Sequence, residues 1–92
     1  MHYMVRMTVT LPPDLDPEVR EQLVAAERAY SQQLQQQGKI AAIWRVAGRF
    51  ANYCLFDVES HDELHDLVSG LPMFGYIQAE VEPLAKHPNS IR

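Results

Sequence analysis

Lys39 to Val58 reads KIAAIWRVAGRFANYCLFDV, two β-rich runs broken once, at Gly48. Branched and aromatic residues crowd both runs, and the glycine between them supplies the backbone freedom of a tight hairpin turn. With Gly48 and Arg49 as the two turn residues, Ala47 faces Phe50, Arg45 faces Asn52, and Trp44 faces Tyr53. Alternation then puts Ile43, Arg45, Ala47, Phe50, Asn52, Cys54 and Phe56 on one side of the hairpin. Trp44, Val46, Ala51, Tyr53 and Leu55 take the other. One side thus pairs a cation with an amide among apolar neighbours, and a slip of one residue would exchange the two sides.

Upstream of the hairpin, Asp14 and Asp16 precede Pro17, an aspartate cap followed by proline at a first helical position. The helix that starts there is predicted to run to about Gln37, with Gly38 as a left-handed terminator. Before it, MHYMVRMTVTL (1–11) alternates loosely and reads as a strand ending at Pro12-Pro13. Downstream, Ser60 and Glu63 form a capping box that opens a second helix in SHDELHDLVSGL (60–71). Leu64, Leu67, Val68 and Leu71 give its core stripe, and Gly70 with Pro72 ends it. MFGYIQAEVEPL (73–84) supplies a fourth strand, followed by the polar tail AKHPNSIR (85–92). The order βαββαβ predicts an α+β fold of ferredoxin-like type, a four-stranded antiparallel sheet with both helices on one face. The other face would be bare in a monomer, to be covered by another subunit or used as a ligand cavity.

Ninety-two residues make one domain, and so short a chain gains from oligomerisation. Hydrophobic residues are 47% of it, which leaves apolar surface for partner subunits, and the tail from residue 84 is expected to meet one of them. A net charge of −4 argues against a nucleic-acid footprint. Cys54 is the sole cysteine, so no disulfide framework exists, and its apolar neighbours mark a buried, inert thiol. The N-terminus does not read as a signal peptide, and no stretch approaches a membrane span, so the expected location is the cytoplasm.

In the first helix Val19, Leu23, Ala26, Tyr30 and Leu34 recur at helical spacing, and Glu27 sits within the same stripe. If helix one covers the Arg45/Asn52 side of the hairpin, Glu27, Arg45 and Asn52 converge beneath an apolar lid. Two readings follow. A buried Glu27–Arg45 ion pair would leave Asn52 to satisfy the remaining lone pairs. Alternatively, isolation in an apolar wall disfavours the carboxylate, raises its pKa and makes a base that works near neutrality. His61 and His65, four apart on helix two, have metal-compatible spacing but lie on its polar margin, too few for a site. No phosphate loop and no nucleophile–base motif is visible. His87 is either tail structure or a residue donated to a neighbour, and Arg49 reads as a solvated turn residue.

The stretches MTVTLPPDLDP, AAE, IWRVAGRFANYCLFDV, ELHDLVSGLPMFGY and KHPNSI, long and ungapped, resemble the muconolactone Δ-isomerase family over essentially the whole chain. The resemblance implies the ferredoxin-like fold closed into a decamer, a small anionic lactone substrate, no cofactor and no metal. It implies a place in the β-ketoadipate branch of aromatic catabolism, converting muconolactone to the enol-lactone of 3-oxoadipate. Glu27 of AAE then matches the base. Asn52 would donate to the lactone or its enolate, and Arg45 suits the substrate carboxylate, with Phe50 and Tyr30 beside them as substrate-binding residues. Arg49-Phe50 stands where relatives often carry His-Tyr, and Val24 where a lysine sometimes occurs. A chloromuconolactone dehalogenase, which would begin with the same proton abstraction, is the enzymatic alternative. A non-catalytic ligand-binding module on the same fold is the alternative of another class.

Overall fold

The first helix is set at both ends by short-range chemistry. Asp16 accepts a 2.8 Å bond from the Glu18 amide, and Pro17 occupies the first turn, where its missing N–H costs nothing. At the far end Gly38 adopts φ +75°, and the Lys39 amide reaches back 2.9 Å to the Leu34 carbonyl, closing a Schellman turn. The computed structural model describes residues 1–92 and defines β1 (His2–Val9), α1 (Pro17–Gln36), β2 (Ile40–Arg45), β3 (Ala51–Asp57), α2 (His61–Ser69), a 3-10 turn (Phe74–Tyr76) and β4 (Ile77–Leu84). The four strands form one antiparallel sheet in the order β2-β3-β1-β4.

The core lies on one side of that sheet. Tyr3, Val5 and Met7 of β1 and Cys54 and Phe56 of β3 are buried in one cluster with Leu34 of α1 and Leu64 and Val68 of α2. Pairing of Val5 with Cys54 and of Tyr3 with Phe56 sets these side chains on a common face. β4 is left uncovered, every residue after Ile77 being exposed.

The predicted hairpin register holds, since Trp44 pairs with Tyr53 and Arg45 with Asn52. The turn itself differs. The Val46 amide bonds the Ala51 carbonyl and the Arg49 amide bonds the Val46 carbonyl, so residues 47–50 form a four-residue loop rather than a two-residue turn at Gly48-Arg49. Adding one residue on each side of a hairpin preserves the pairing sum, which is why the register survived. A β-bulge between Ile40 and Ala42 re-aims the start of β2.

Two further expectations are corrected. Residues 73–76 do not belong to the fourth strand. Pro72 offers no amide, the Phe74 amide turns back to Leu71 and the Tyr76 amide to Met73, so the chain coils before it extends. The core stripe of α1 is Leu23, Glu27, Tyr30 and Leu34, at steps of four, three and four, while Val19 and Ala26 are exposed. Val19 lies in the first turn of a 20-residue helix, about 30 Å long, whose buried stripe begins only at Leu23.

The second helix is capped as its sequence predicts, with one variation. Ser60 accepts from the Glu63 amide at 3.0 Å, but Glu63 reaches the Glu59 amide, one residue earlier than the reciprocal bond of a capping box. Its other oxygen pairs with Lys39 at 3.1 Å, tying the end of the first helix's loop to the start of the second.

Candidate active site

Glu27 is the one carboxylate in the buried stripe of α1, half-buried where the helix passes the end of α2. One of its oxygens accepts a 3.1 Å bond from the Met73 amide. Burial raises its pKa above the ordinary glutamate value, and the Met73 bond lowers it by less. The chain's three ion pairs join the N-terminus and His2 to Asp57 and Lys39 to Glu63. The expected alternative of a Glu27–Arg45 ion pair therefore does not form, and the carboxylate stands without a counter-cation.

Two groups register its charge. Tyr30, one helical turn on, has its pKa raised by burial and then by Glu27. Cys54 on β3 is pushed up to about 11, by burial first, with the Asn52 bond opposing and the Glu27 charge adding. Asn52 donates to the Cys54 sulfur at 3.2 Å and shares the helix-covered face, its Cα partner being the buried Met7. The Glu27 charge thus reaches Tyr30 on its own helix and Cys54 on β3, and Asn52 is bonded to that thiol. The thiol stays protonated at neutral pH and is no nucleophile.

Arg45 and Phe50 lie farther out. Both are exposed at the hairpin end, with the guanidinium over the Phe50 ring at 5.5 Å from its centroid. Arg45 is on the Asn52 side, as cross-strand pairing requires, but at the open margin of the edge strand. Tyr53 faces the opposite side, bonded to Arg6 through its hydroxyl at 2.8 Å. The Tyr30 hydroxyl is already committed, donating to the Leu67 carbonyl at 2.7 Å. His61 bonds Tyr3 through its Nδ1 atom, which places it in the packing of β1 against α2.

No enclosed hollow surrounds Glu27 in the single chain. One surface cavity runs along the outer side of α1 at Glu18, Glu21 and Gln22. Another lies between the open sheet face and the tail, lined by His2, Leu55, Leu84, Lys86, His87 and Arg92. The tail residues themselves are exposed, and His87 accepts from the Asn89 amide within a local turn. No helix is long and apolar enough to cross a membrane.

The Met73 amide is the functional group that sequence reading missed. A backbone N–H carries no residue signature, although a buried amide directly after proline had to find an acceptor somewhere.

Comparison with known proteins gives a consistent result. A family described as Muconolactone delta-isomerase matches residues 1–90. A Muconolactone Delta-isomerase of Cupriavidus pinatubonensis is 55% identical over 92 residues, the full length of both chains. One from Pseudomonas aeruginosa is 46% identical, with 99% of this chain and 95% of that one aligned. A crystal structure of muconolactone isomerase superposes with a TM-score of 0.96 at 47% identity, covering 100% of this chain and 96% of that one. A 5-chloro-2-hydroxyhydroquinone dehydrochlorinase of Burkholderia phenoliruptrix, in complex with 2,5-dihydroxybenzoquinone, shares the fold, with a TM-score of 0.72 at 23% identity over 95% of this chain and 96% of that one.

Proposed function

The chain belongs to the muconolactone delta-isomerase family, and from that premise we propose that Glu27 is the base of a cofactor-independent proton shift on muconolactone. The protein is an isomerase, and the observation that carries the base assignment is the position of this carboxylate. It is half-buried, held by one amide, raised in pKa and unpaired with any cation. An unpaired carboxylate whose pKa is raised toward the working pH is both ionised and basic enough to act.

Muconolactone carries an acetate arm on a ring carbon flanked by the ring oxygen and a C=C bond conjugated to the lactone carbonyl. The Glu27 carboxylate removes the proton from the arm-bearing carbon, and the electron pair runs through the C=C bond to the carbonyl oxygen as a dienolate. The protonated Glu27 returns that proton to the carbon beside the carbonyl, leaving the C=C bond at the arm-bearing carbon. One oxygen bonded to Met73 and one free lets the same group reach both carbons, which are two bonds apart. Asn52, on the helix-covered face beside Cys54, would donate its amide to the developing charge. Arg45, at the margin, suits the acetate arm, with the Phe50 ring beneath it.

The active form is a homo-oligomer, and the site closes against a second subunit. In the single chain Glu27 is only half-buried, and Trp44, Val81 and Leu84 are exposed. The strand order β2-β3-β1-β4 suits a ferredoxin-like unit assembled through its sheet faces and tails, with the decamer of the family as the expected closed form. A cytoplasmic place in aromatic catabolism accords with a single unpaired thiol.

Proton NMR of muconolactone with purified protein tests this reading. The expected outcome is loss of the arm-bearing ring C–H and growth of a ring methylene beside the carbonyl, with no chloride released from a 5-chloro analogue. Chloride release without isomerisation would assign the dehalogenase chemistry instead, and binding without turnover would leave a ligand-binding module.

A further inference from the structure

Glu27 and Tyr30 are neighbours on one face of α1, three residues apart, and both reach the same short segment of chain. Tyr30 bonds the Leu67 carbonyl at its start, and Glu27 bonds the Met73 amide at its end. Between them lie Gly70, the buried Leu71, and Pro72. In the last turn of α2 the Asp66 carbonyl takes the Gly70 amide and the Val68 carbonyl takes the Leu71 amide. The Leu67 carbonyl, one of the acceptors that every helix end leaves without an intrahelical donor, takes the Tyr30 hydroxyl instead.

Gly70 explains how the ring gets there. Its backbone is right-handed, φ −79° and ψ −8°, so conformation does not call for glycine. Space does. A Cβ at this position would sit 2.7 Å from the Tyr30 hydroxyl oxygen, 3.1 Å from the Asp66 carbonyl oxygen and 3.4 Å from the ring carbon that bears the hydroxyl.

We infer that Tyr30 is a positioning residue: its hydroxyl, seated on Gly70 and bonded to Leu67, fixes the end of α2 and so the Met73 amide that holds the Glu27 carboxylate. This rests on Glu27 being the base. Tyr30 acts through the segment 67–73 and needs no contact with substrate. The titratable groups facing Glu27 are Tyr30 on its own helix and Cys54 on β3, and both are protonated at neutral pH.

Tyr30→Phe keeps the ring and removes the hydroxyl. It is expected to lower kcat on the order of tenfold, inside the ~10²-fold that an ångström of misplacement costs, with KM unchanged. The acid limb of the kcat–pH profile is expected to move up, because a looser Met73 bond lowers the Glu27 pKa less. Gly70→Ala in the parent background is expected to cost at least as much. In the Tyr30→Phe background it is expected to cost clearly less, since the 2.7 Å contact has gone and the tightest one left is the 3.1 Å approach to the Asp66 carbonyl, and this non-additivity is the signature of the seat. If Tyr30→Phe lowers only the melting temperature, or raises only KM, or the two substitutions are additive, Tyr30 is not a positioning residue. Should Gly70→Ala fail to fold, the kcat and pH profile of Tyr30→Phe decide alone. Full turnover in Glu27→Gln would instead sink the base assignment, an outcome that no Tyr30 result mimics.

Discussion

A carboxyl at Glu27 is caught between two demands, an amide that prefers it ionised and an apolar wall that prefers it neutral, and burial is the larger. As the proposed base it must be ionised to act, so kcat is expected to fall on the acid side with a midpoint above the ordinary glutamate value, measurable in the pH profile of the purified protein. Stability carries the opposite sign. Its folded pKa lies above the unfolded value, so Glu27 stabilises the fold fully at acid pH, and that contribution is lost as pH rises from about 4.5 through the raised folded value. Glu27→Gln keeps an oxygen for the Met73 amide and removes the charge, so its melting temperature at neutral pH is expected to equal or exceed the parent's. Its kcat is expected to drop ~10²-fold or more, the usual scale for loss of a general base. Glu27→Ala strips the amide of its acceptor and is expected to cost roughly 1–3 kcal/mol in chemical denaturation, a price the glutamine variant avoids. The acid was legible in the sequence because it interrupts an apolar stripe. Its partner was not, because Met73 contributes only a backbone atom, and the distance along the chain from Glu27 to Met73 hides the contact from any local pattern.

Elements follow local chemistry more closely than contacts do. Both helix starts and the α1 terminator were legible from Asp16-Pro17, Ser60 and Gly38, since each satisfies amides or a dihedral within a few residues of itself. Strand pairing was legible because a turn centred near Gly48 fixes which residues oppose, whatever the loop length. The bulge near Ala41 was not legible because it answers to how β2 pairs with β3, and the coil at 73–76 was not because its bonds join backbone to backbone and carry no residue signature. The two glycines that end the helices now separate by mechanism. Gly38 has φ +75° with nothing within 4 Å of a would-be Cβ, so only its backbone demands glycine. Gly38→Ala is therefore expected to cost roughly 1–2 kcal/mol in a urea titration, with an unchanged slope and unchanged kcat. Gly70 has dihedrals that any residue adopts but no space for a side chain, so its substitution is expected to register in kinetics as well. If Gly38→Ala also lowered kcat, the end of α1 would be coupled to the site in a way its geometry gives no reason for.

At the scale of the molecule, surface is in excess. The chain exposes 6526 Å², against about 5,400 Å² for a compact monomer of its mass. The surplus of about 1,100 Å² exceeds the ~800 Å² that one partner contributes to a standard interface. Its form is elongated, 49 × 26 × 20 Å, with an uncovered β4 and an exposed tail. The surplus was foreseeable from a 47% hydrophobic chain too short to bury it, whereas which residues would carry it depended on how far two helices reach across four strands. Trp44, the sole tryptophan, is 52% exposed on the sheet face opposite the helices. If that face packs against another copy, tryptophan emission at micromolar concentration is expected to be blue-shifted and to move red on dilution, together with a concentration-dependent melting temperature. Trp44→Lys places a charge in the same contact. It is expected to shift the mass in light scattering toward the single chain. A variant that stays assembled and active with lysine at 44 would move the interface to β4 and the tail. A parent protein that is monomeric and fully active would remove the second subunit from the site altogether.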